Sequence, residues 1–462
     1  MSTKITAPKL ADYLGKPFDC ACGRTHSTGV EGVSVGAGAI ASIVDYVEKY
    51  GFKKLYLVCD KITFDIAGKK TMQILEKAGI EAKVHVFMQP RFIPDEKALG
   101  DLMLDADRDL DLVVAVGTGS LNDMCRFFSY QMGVPYAIIA TAAPMDGFAS
   151  TGAALIVNNI KVNLPAQSPL FIIGDTDVLC GAPARLISAG LGDLLGKFTC
   201  LTDWRISKIV NNEYYCDTIV DLVTNCINNV LQDAPKAADR DPQVIGDIME
   251  GLVLTGVAMS FVGNSRPAAG CEHHMCHFWE TLELQEGKVP VLHGTKVAVG
   301  TVMILKMTEL LRQGRPDFDK AREAAKAYDA AEWEKEIERI YGASASSIIA
   351  LEKKSQKNAA EGRLARIDAI EANWDEIVKI MNDNLPSSAH MIEILKSMDA
   401  PYLPSQIGFD DERLYNALVY AKETRERYSL LSMMADLGVT RDLAKQVVTF
   451  AQDEAAASAK TA

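Results

Sequence analysis

Two hydrophobic periods alternate along the first 180 or so residues. Short apolar runs at Gly32–Val35, Leu55–Cys59, Ala82–Phe87, Leu112–Val116 and Tyr136–Ala140 are separated by stretches, roughly 38–50, 65–79, 95–108 and 120–132, in which apolar residues recur at helical spacing. Strands alternating with helices predict a parallel sheet covered on its faces by the helices. The runs LYLVC and LVVAV are apolar at every position, as strands buried on both faces must be. The rhythm changes at STGAALIVNNIKVNLP, which reads as a hairpin turning at Asn158-Asn159, and a further strand in LFIIGDTDVL follows.

After about Pro183 the strand signal ends, and the chain is helical to about 455. The pattern therefore predicts an N-terminal α/β domain over 1–182 with a Rossmann-like parallel sheet, an all-α domain over 183–455 and a disordered tail over 456–462. Residues 1–30 read as irregular. The stretch 318–380 is rich in Ala, Glu, Lys and Arg, which predicts amphipathic surface helices.

Length agrees with more than one core, since 462 residues exceed what a single core usually holds. A formal charge of −13 argues against nucleic acid or an anionic membrane as partner, because both repel an acidic protein. It leaves a small anionic substrate open. The ten cysteines lie mostly inside apolar patterns, where thiols pack as small hydrophobes rather than forming a secreted disulfide scaffold. No window has about 18 consecutive apolar residues, so no membrane span is expected. The N-terminus has no apolar core of signal-peptide length. A cytoplasmic location is expected.

Chemistry enters first at Gly117-Thr118-Gly119, where an apolar strand runs into a helix pattern. Glycine permits the tight turn and a close backbone approach, and the helix N-terminus offers N–H groups to a phosphate. The full G-x-G-x-x-G pattern is absent, so an ordinary strand-to-helix turn is the competing reading. Asp60 ends the run LYLVC, where an acid can accept from a ribose or simply cap the next turn.

Four of the seven histidines fall between 273 and 293: His273, His274, His277 and His293. His273 and His277 share one helical face, and His293 stands at the start of the next apolar helix. Imidazoles on neighbouring helices suit a catalytic metal, which needs three protein ligands and an open position. Asp193, set among glycines in AGLGDLLGK, is the best candidate for a third ligand. Interfacial histidines with an N-capping aspartate are the alternative. Cys20-x-Cys22-Gly-x-x-His26 has zinc-type residues but supplies only three ligands, and a packed turn is preferred for it.

Taken in order, GTGSLND, TAAPMDGFAS, GDTDVL, AGLGDLLGK, EHHMCH and HG resemble the sn-glycerol-1-phosphate dehydrogenase family, above all its bacterial AraM-type branch. That family belongs with iron-containing alcohol dehydrogenase, glycerol dehydrogenase and dehydroquinate synthase. The likeness runs from FDCACGRTH to LLSMMADLGV and covers nearly the whole chain. It implies a dehydroquinate synthase-like fold, with a dinucleotide-binding domain followed by a helical metal-binding domain. It also implies NAD or NADP as cofactor and one divalent metal, zinc, nickel or iron, held by Asp193, His273 and His293. His277 becomes a substrate and proton-relay residue, with Asp146 and Asp193 against the substrate.

The resemblance places cofactor contacts on Gly117, Gly119, Ser120, Leu121, Asn122 and Asp123, on Thr141, Ala142, Ala143 and Pro144, and on Ser150. With Asp60 at the ribose, NAD is favoured over NADP, although Lys61 beside it works the other way. The implied reaction interconverts dihydroxyacetone phosphate and sn-glycerol 1-phosphate, and a homodimer or larger homo-oligomer is implied. The hairpin tip Asn158-Asn159-Ile160-Lys161 is a candidate contact for the substrate phosphate, and His274 is an extra imidazole beside the metal. Three rivals are set against this reading: a dehydrogenase of another small polyol, a dehydroquinate-synthase-like cyclase or lyase with no net redox change, and a non-catalytic sensor that kept the fold.

Overall fold

A computed structural model describes residues 10–89, 92–157 and 160–461. The described chain packs as two compact units, Met1–Leu194 with Thr218–Ser265, and Leu195–Asp217 with Arg266–Ala462.

Among its described residues the first unit has ten strands: β1 (Phe18–Asp19), β2 (Thr25–His26), β3 (Gly32–Gly36), β4 (Lys54–Asp60), β5 (Glu81–Phe87), β6 (Leu112–Gly117), β7 (Tyr136–Ala140), β8 (Gly152–Val157), β9 (Ile160–Pro165) and β10 (Phe171–Asp175). Six of them form one sheet in the order β3-β10-β7-β6-β4-β5. Every pairing in it is parallel. β6, β7 and β10 are buried at every position, which accounts for their predominantly apolar content. The predicted strands and crossover helices are thus present. The chain leaves β4 for β5 on one side and returns to β6 on the other. That reversal is the switch point at which open α/β sheets bind ligands, beyond the carboxyl ends of the strands.

β8 and β9 form the predicted antiparallel hairpin, with Val157 paired to Ile160. Asn158 and Asn159, its expected turn and phosphate contact, lie outside the described residues, as does the side chain of Lys161. The region read as irregular contains a further small hairpin, β1 against β2, with Phe18 paired to His26.

The compact units do not follow the expected 182/183 boundary. Helices Asp217–Asp233 and Pro242–Val262 belong with the sheet. The end of the strand signal marks where strands stop, not where packing stops. Pro242–Val262 has the length and hydropathy, 1.5, of a membrane span, but 78% of that stretch is buried in the protein. It is a core helix, and its glycines permit close contact. A Cβ on Gly256 would come within 3.0 Å of Asp146 O.

The second unit is helical, and none of its described residues forms a strand. Its surface helices between 318 and 380 bury one face, through Ile337, Ile340, Ile367, Ile370 and Ile377. The expected disordered tail is instead the end of a helix, Thr440–Thr461. Ala-rich sequence in EAAASAK has high helix propensity, and the helix packed ahead of it supplies the nucleus from which it extends.

Candidate active site

In the first unit the sequence-predicted cofactor residues gather along the carboxyl edge of the sheet. β6 ends at Gly117, Thr118 is extended, and Gly119 opens helix Gly119–Met132 with no side-chain cap on its first N–H groups. Such an end suits an anion. A Cβ on Gly117 would lie 2.4 Å from Leu121 Cδ1, and one on Gly119 would lie 2.9 Å from Met145 Cε, so a side chain at either position would have to displace its neighbour. Ser120 is exposed, whereas Leu121 and Asn122 are buried. Asn122 Oδ1 is buried with no hydrogen-bond partner among the described residues. A buried acceptor without a donor is costly, and one at a helix N-terminus fits a site that a ligand completes.

The backbone N–H of Thr141 donates to Gly117 O at 3.1 Å, which holds the buried segment Thr141, Ala142, Ala143 and Pro144 beside the glycine turn. Helix Ala184–Leu195 closes on that segment at Gly190, where a Cβ would lie 1.9 Å from Ala143 O. The N–H of Asp146 donates to Asp193 Oδ2 at 2.9 Å, and both residues are buried. Ser150 Oγ donates to Gly152 O and accepts from Gly152 N, which fixes the entry to β8. Asp60 fills the capping role: its Oδ1 accepts from Thr63 N at 2.8 Å in a reciprocal capping box. A carboxylate still has acceptor capacity beyond that one bond.

Sequence reasoning missed Arg126. It is fully buried, and its guanidinium donates to Gly147 O, Phe148 O, Gly152 O and Asp123 Oδ1 while Nε donates to Tyr136 OH. It thereby ties the segment 147–152 to helix Gly119–Met132. The signal was an arginine inside the apolar run MCRFF.

In the second unit helix Cys271–Gln285 starts against Asp203, whose two oxygens accept from Cys271 N at 2.7 Å and Leu430 N at 2.6 Å. Burial, with the nearby Glu272 carboxylate adding to it, pushes the Asp203 carboxyl up to about 7. Glu272 is itself fully buried and accepts from Gly270 N, Thr199 Oγ1 and His273 Nδ1, the last at 2.7 Å. Burial raises its carboxyl, but these donors outweigh that and hold it below the usual range. A carboxylate only accepts, so His273 Nδ1 carries the proton and Nε2 the lone pair. This is the carboxylate–histidine arrangement that prepares an imidazole for a metal.

His293 opens helix His293–Leu311, with Nδ1 3.3 Å from Cys276 Sγ. Its ring centroid is 5.1 Å from that of His273, and His277 lies 6.2 Å from His273 and 5.8 Å from His293. The three imidazoles thus converge, His273 and His277 from one helix and His293 from the next. Burial lowers His277 to about 4, and Glu280, 3.6 Å from its Nδ1, offsets this only in part. His274 makes no ring contact with these three; its Nδ1 has no partner among the described residues, and burial holds it well below its usual value. Neither Glu272 nor Cys276 was singled out from the sequence, although both stand within the EHHMCH motif.

The iron-containing alcohol dehydrogenase profile matches residues 34–183. A relative from Geobacillus thermodenitrificans, named glycerol-1-phosphate dehydrogenase, NAD(P)+, is 34% identical over 309 residues, covering 66% of this chain and 76% of the relative. The chain belongs to the glycerol-1-phosphate dehydrogenase family. A member of the same name from Halalkalibacterium halodurans is 28% identical over 89% of this chain and 94% of its own length. The fold agrees with that of the glycerol dehydrogenase from Schizosaccharomyces pombe, at TM-score 0.59 and 16% identity over 92% of this chain and 90% of that one.

Proposed function

We propose that this chain is an NAD(P)-linked oxidoreductase that interconverts dihydroxyacetone phosphate and sn-glycerol 1-phosphate, using one divalent metal held by Asp193, His273 and His293. The observation that carries the reading is the buried Glu272–His273 pair beside His293, which leaves an imidazole nitrogen of the correct tautomer pointing away from its carboxylate. Family membership supplies the substrate class.

The metal, whether zinc, nickel or iron, supplies Lewis acidity toward the substrate carbonyl oxygen, and the dinucleotide supplies the hydride. The protein's own groups do the rest. Gly117 and Gly119, with the N–H groups of Ser120 to Asp123, receive the pyrophosphate, and Asp60 faces the adenosine ribose. Thr141 to Pro144 and Ser150 border the nicotinamide. Asp193 brings negative charge to the metal, while the bond from Asp146 N fixes its carboxylate. His277, kept neutral near pH 7 by burial, takes the substrate hydroxyl proton in the oxidative direction and returns it in the reductive one. We place the enzyme in the cytoplasm as a homodimer or larger assembly.

The test follows NADH and NADPH absorbance with dihydroxyacetone phosphate, with chelator, and with zinc, nickel or iron restored. Oxidation that chelator stops and metal restores is expected, with sn-glycerol 1-phosphate as product. Oxidation with glycerol-type substrates alone would transfer the reading to another polyol, and turnover of a substrate without net NADH consumption would favour the cyclase or lyase.

A further inference from the structure

A second group of metal-type side chains lies in the first unit. The β1–β2 hairpin carries Cys20, Cys22 and His26 around a tight turn in which Gly23 N donates to Cys20 O at 2.9 Å and Cys20 N to Arg24 O at 3.1 Å. Gly23 has φ 84, a left-handed value that favours glycine. This turn aims the side chains inward: the two sulfurs and a ring nitrogen of His26 all lie within 4.8 Å of one another. Cys22 Sγ is 3.3 Å from His26 Nε2. Two ligands at zinc–sulfur and zinc–nitrogen distances with a tetrahedral angle stand about 3.5 Å apart.

The tautomer is set as well. His26 is fully buried, and its Nδ1 lies 2.8 Å from Phe261 O. A carbonyl only accepts, so Nδ1 is protonated and Nε2 turns its lone pair toward Cys22, the state in which an imidazole binds a metal. Cys20 Sγ in turn donates to Thr218 Oγ1 at 3.3 Å, which brings the start of helix Asp217–Asp233 to the cluster.

We infer that Cys20, Cys22 and His26 bind a structural zinc ion. Two thiolates and one imidazole are three of the four donors that a tetrahedral zinc takes. The ion fastens the two arms of the N-terminal hairpin to each other. Through His26 it also reaches Phe261, near the end of helix Pro242–Val262. The site is independent of the proposed reaction.

The test measures metal content and the zinc X-ray absorption of the full chain after dialysis against metal-free buffer. In the His273→Ala/His293→Ala variant the catalytic metal is absent, and about one zinc per chain with sulfur neighbours near 2.3 Å is expected. Cys22→Ser in the wild-type background should lose the sulfur-bound ion. A histidine double variant with no zinc, or with zinc bound by nitrogen and oxygen alone, overturns the inference. So does a thiol count in the denatured chain showing Cys20 joined to Cys22. The double variant decides the matter even if Cys22→Ser does not fold.

Discussion

Glu272 Oε1 lies 2.7 Å from Nδ1 of His273, the residue next to it on the same helix. The carboxylate is fully buried, and its other bonds, from Gly270 N and Thr199 Oγ1, fix its position. The imidazole is therefore oriented before any ion arrives. Glu272→Gln keeps the size but removes the charge that favours the Nδ1–H form. Metal affinity is expected to fall about 10–100-fold. Competition with a chelator of known affinity measures it, and unchanged affinity would mean that the pair is structural only.

The three imidazoles should separate by role. His273→Ala and His293→Ala are each expected to lose bound metal and NADH oxidation together, because each removes one of three protein ligands. His277→Ala should retain the metal and lose mainly turnover, by about 10²–10⁴-fold for a lost proton-transfer group. Metal analysis alongside kinetics reads both. Metal loss in His277→Ala would make that residue a ligand instead.

Gly190 marks the closest approach of helix Ala184–Leu195 to the segment Thr141–Pro144, with only 1.9 Å between an added Cβ and Ala143 O. A backbone atom cannot rotate aside, so Gly190→Ala must move the helix or the segment. A loss of about 1–3 kcal/mol is expected, with weaker dinucleotide binding. Gly314→Ala, where an added Cβ meets nothing within 4 Å, is the matched control. Thermal unfolding and dinucleotide titration of both variants check this, and equal behaviour would remove the close-approach argument.

The sheet was legible because its central strands are apolar along most of their length, as two-sided burial requires; β6 reads LVVAVG and is buried throughout. The His273–His277 pair was legible because i,i+4 spacing fixes a shared helical face whatever surrounds it. Glu272 was not, since its role depends on Thr199, 73 positions away, and on the turn at Gly270. Arg126 was hidden for the same reason: three of its acceptors are the carbonyls of Gly147, Phe148 and Gly152, which no side-chain pattern announces. The surroundings of Cys20 were hidden too, because its partner Thr218 stands 198 positions away. The unit boundary failed differently. Helix Pro242–Val262 is helical like the second unit but apolar enough to be buried with the sheet, and local pattern does not say which core it joins.

Acid should weaken the second unit through Glu423. Burial by itself would raise this carboxyl, but Lys422 and Lys357 beside it, with a bond from Asn358 Nδ2 at 3.0 Å, hold it at about 2 against an ordinary 4.5. A folded-state value below the unfolded one means that the unfolded chain binds the proton first as pH falls. The stabilisation is fully present above about 4.5 and is lost as pH drops toward about 2. Its size is on the order of 3 kcal/mol. Urea unfolding of the full chain at several pH values across that window should show the midpoint falling with acid. Glu423→Gln should be less stable near neutral pH, because two lysines lose their buried partner, and its midpoint should depend less on pH across the window. An equal pH slope in both proteins would assign the acid sensitivity to other carboxylates.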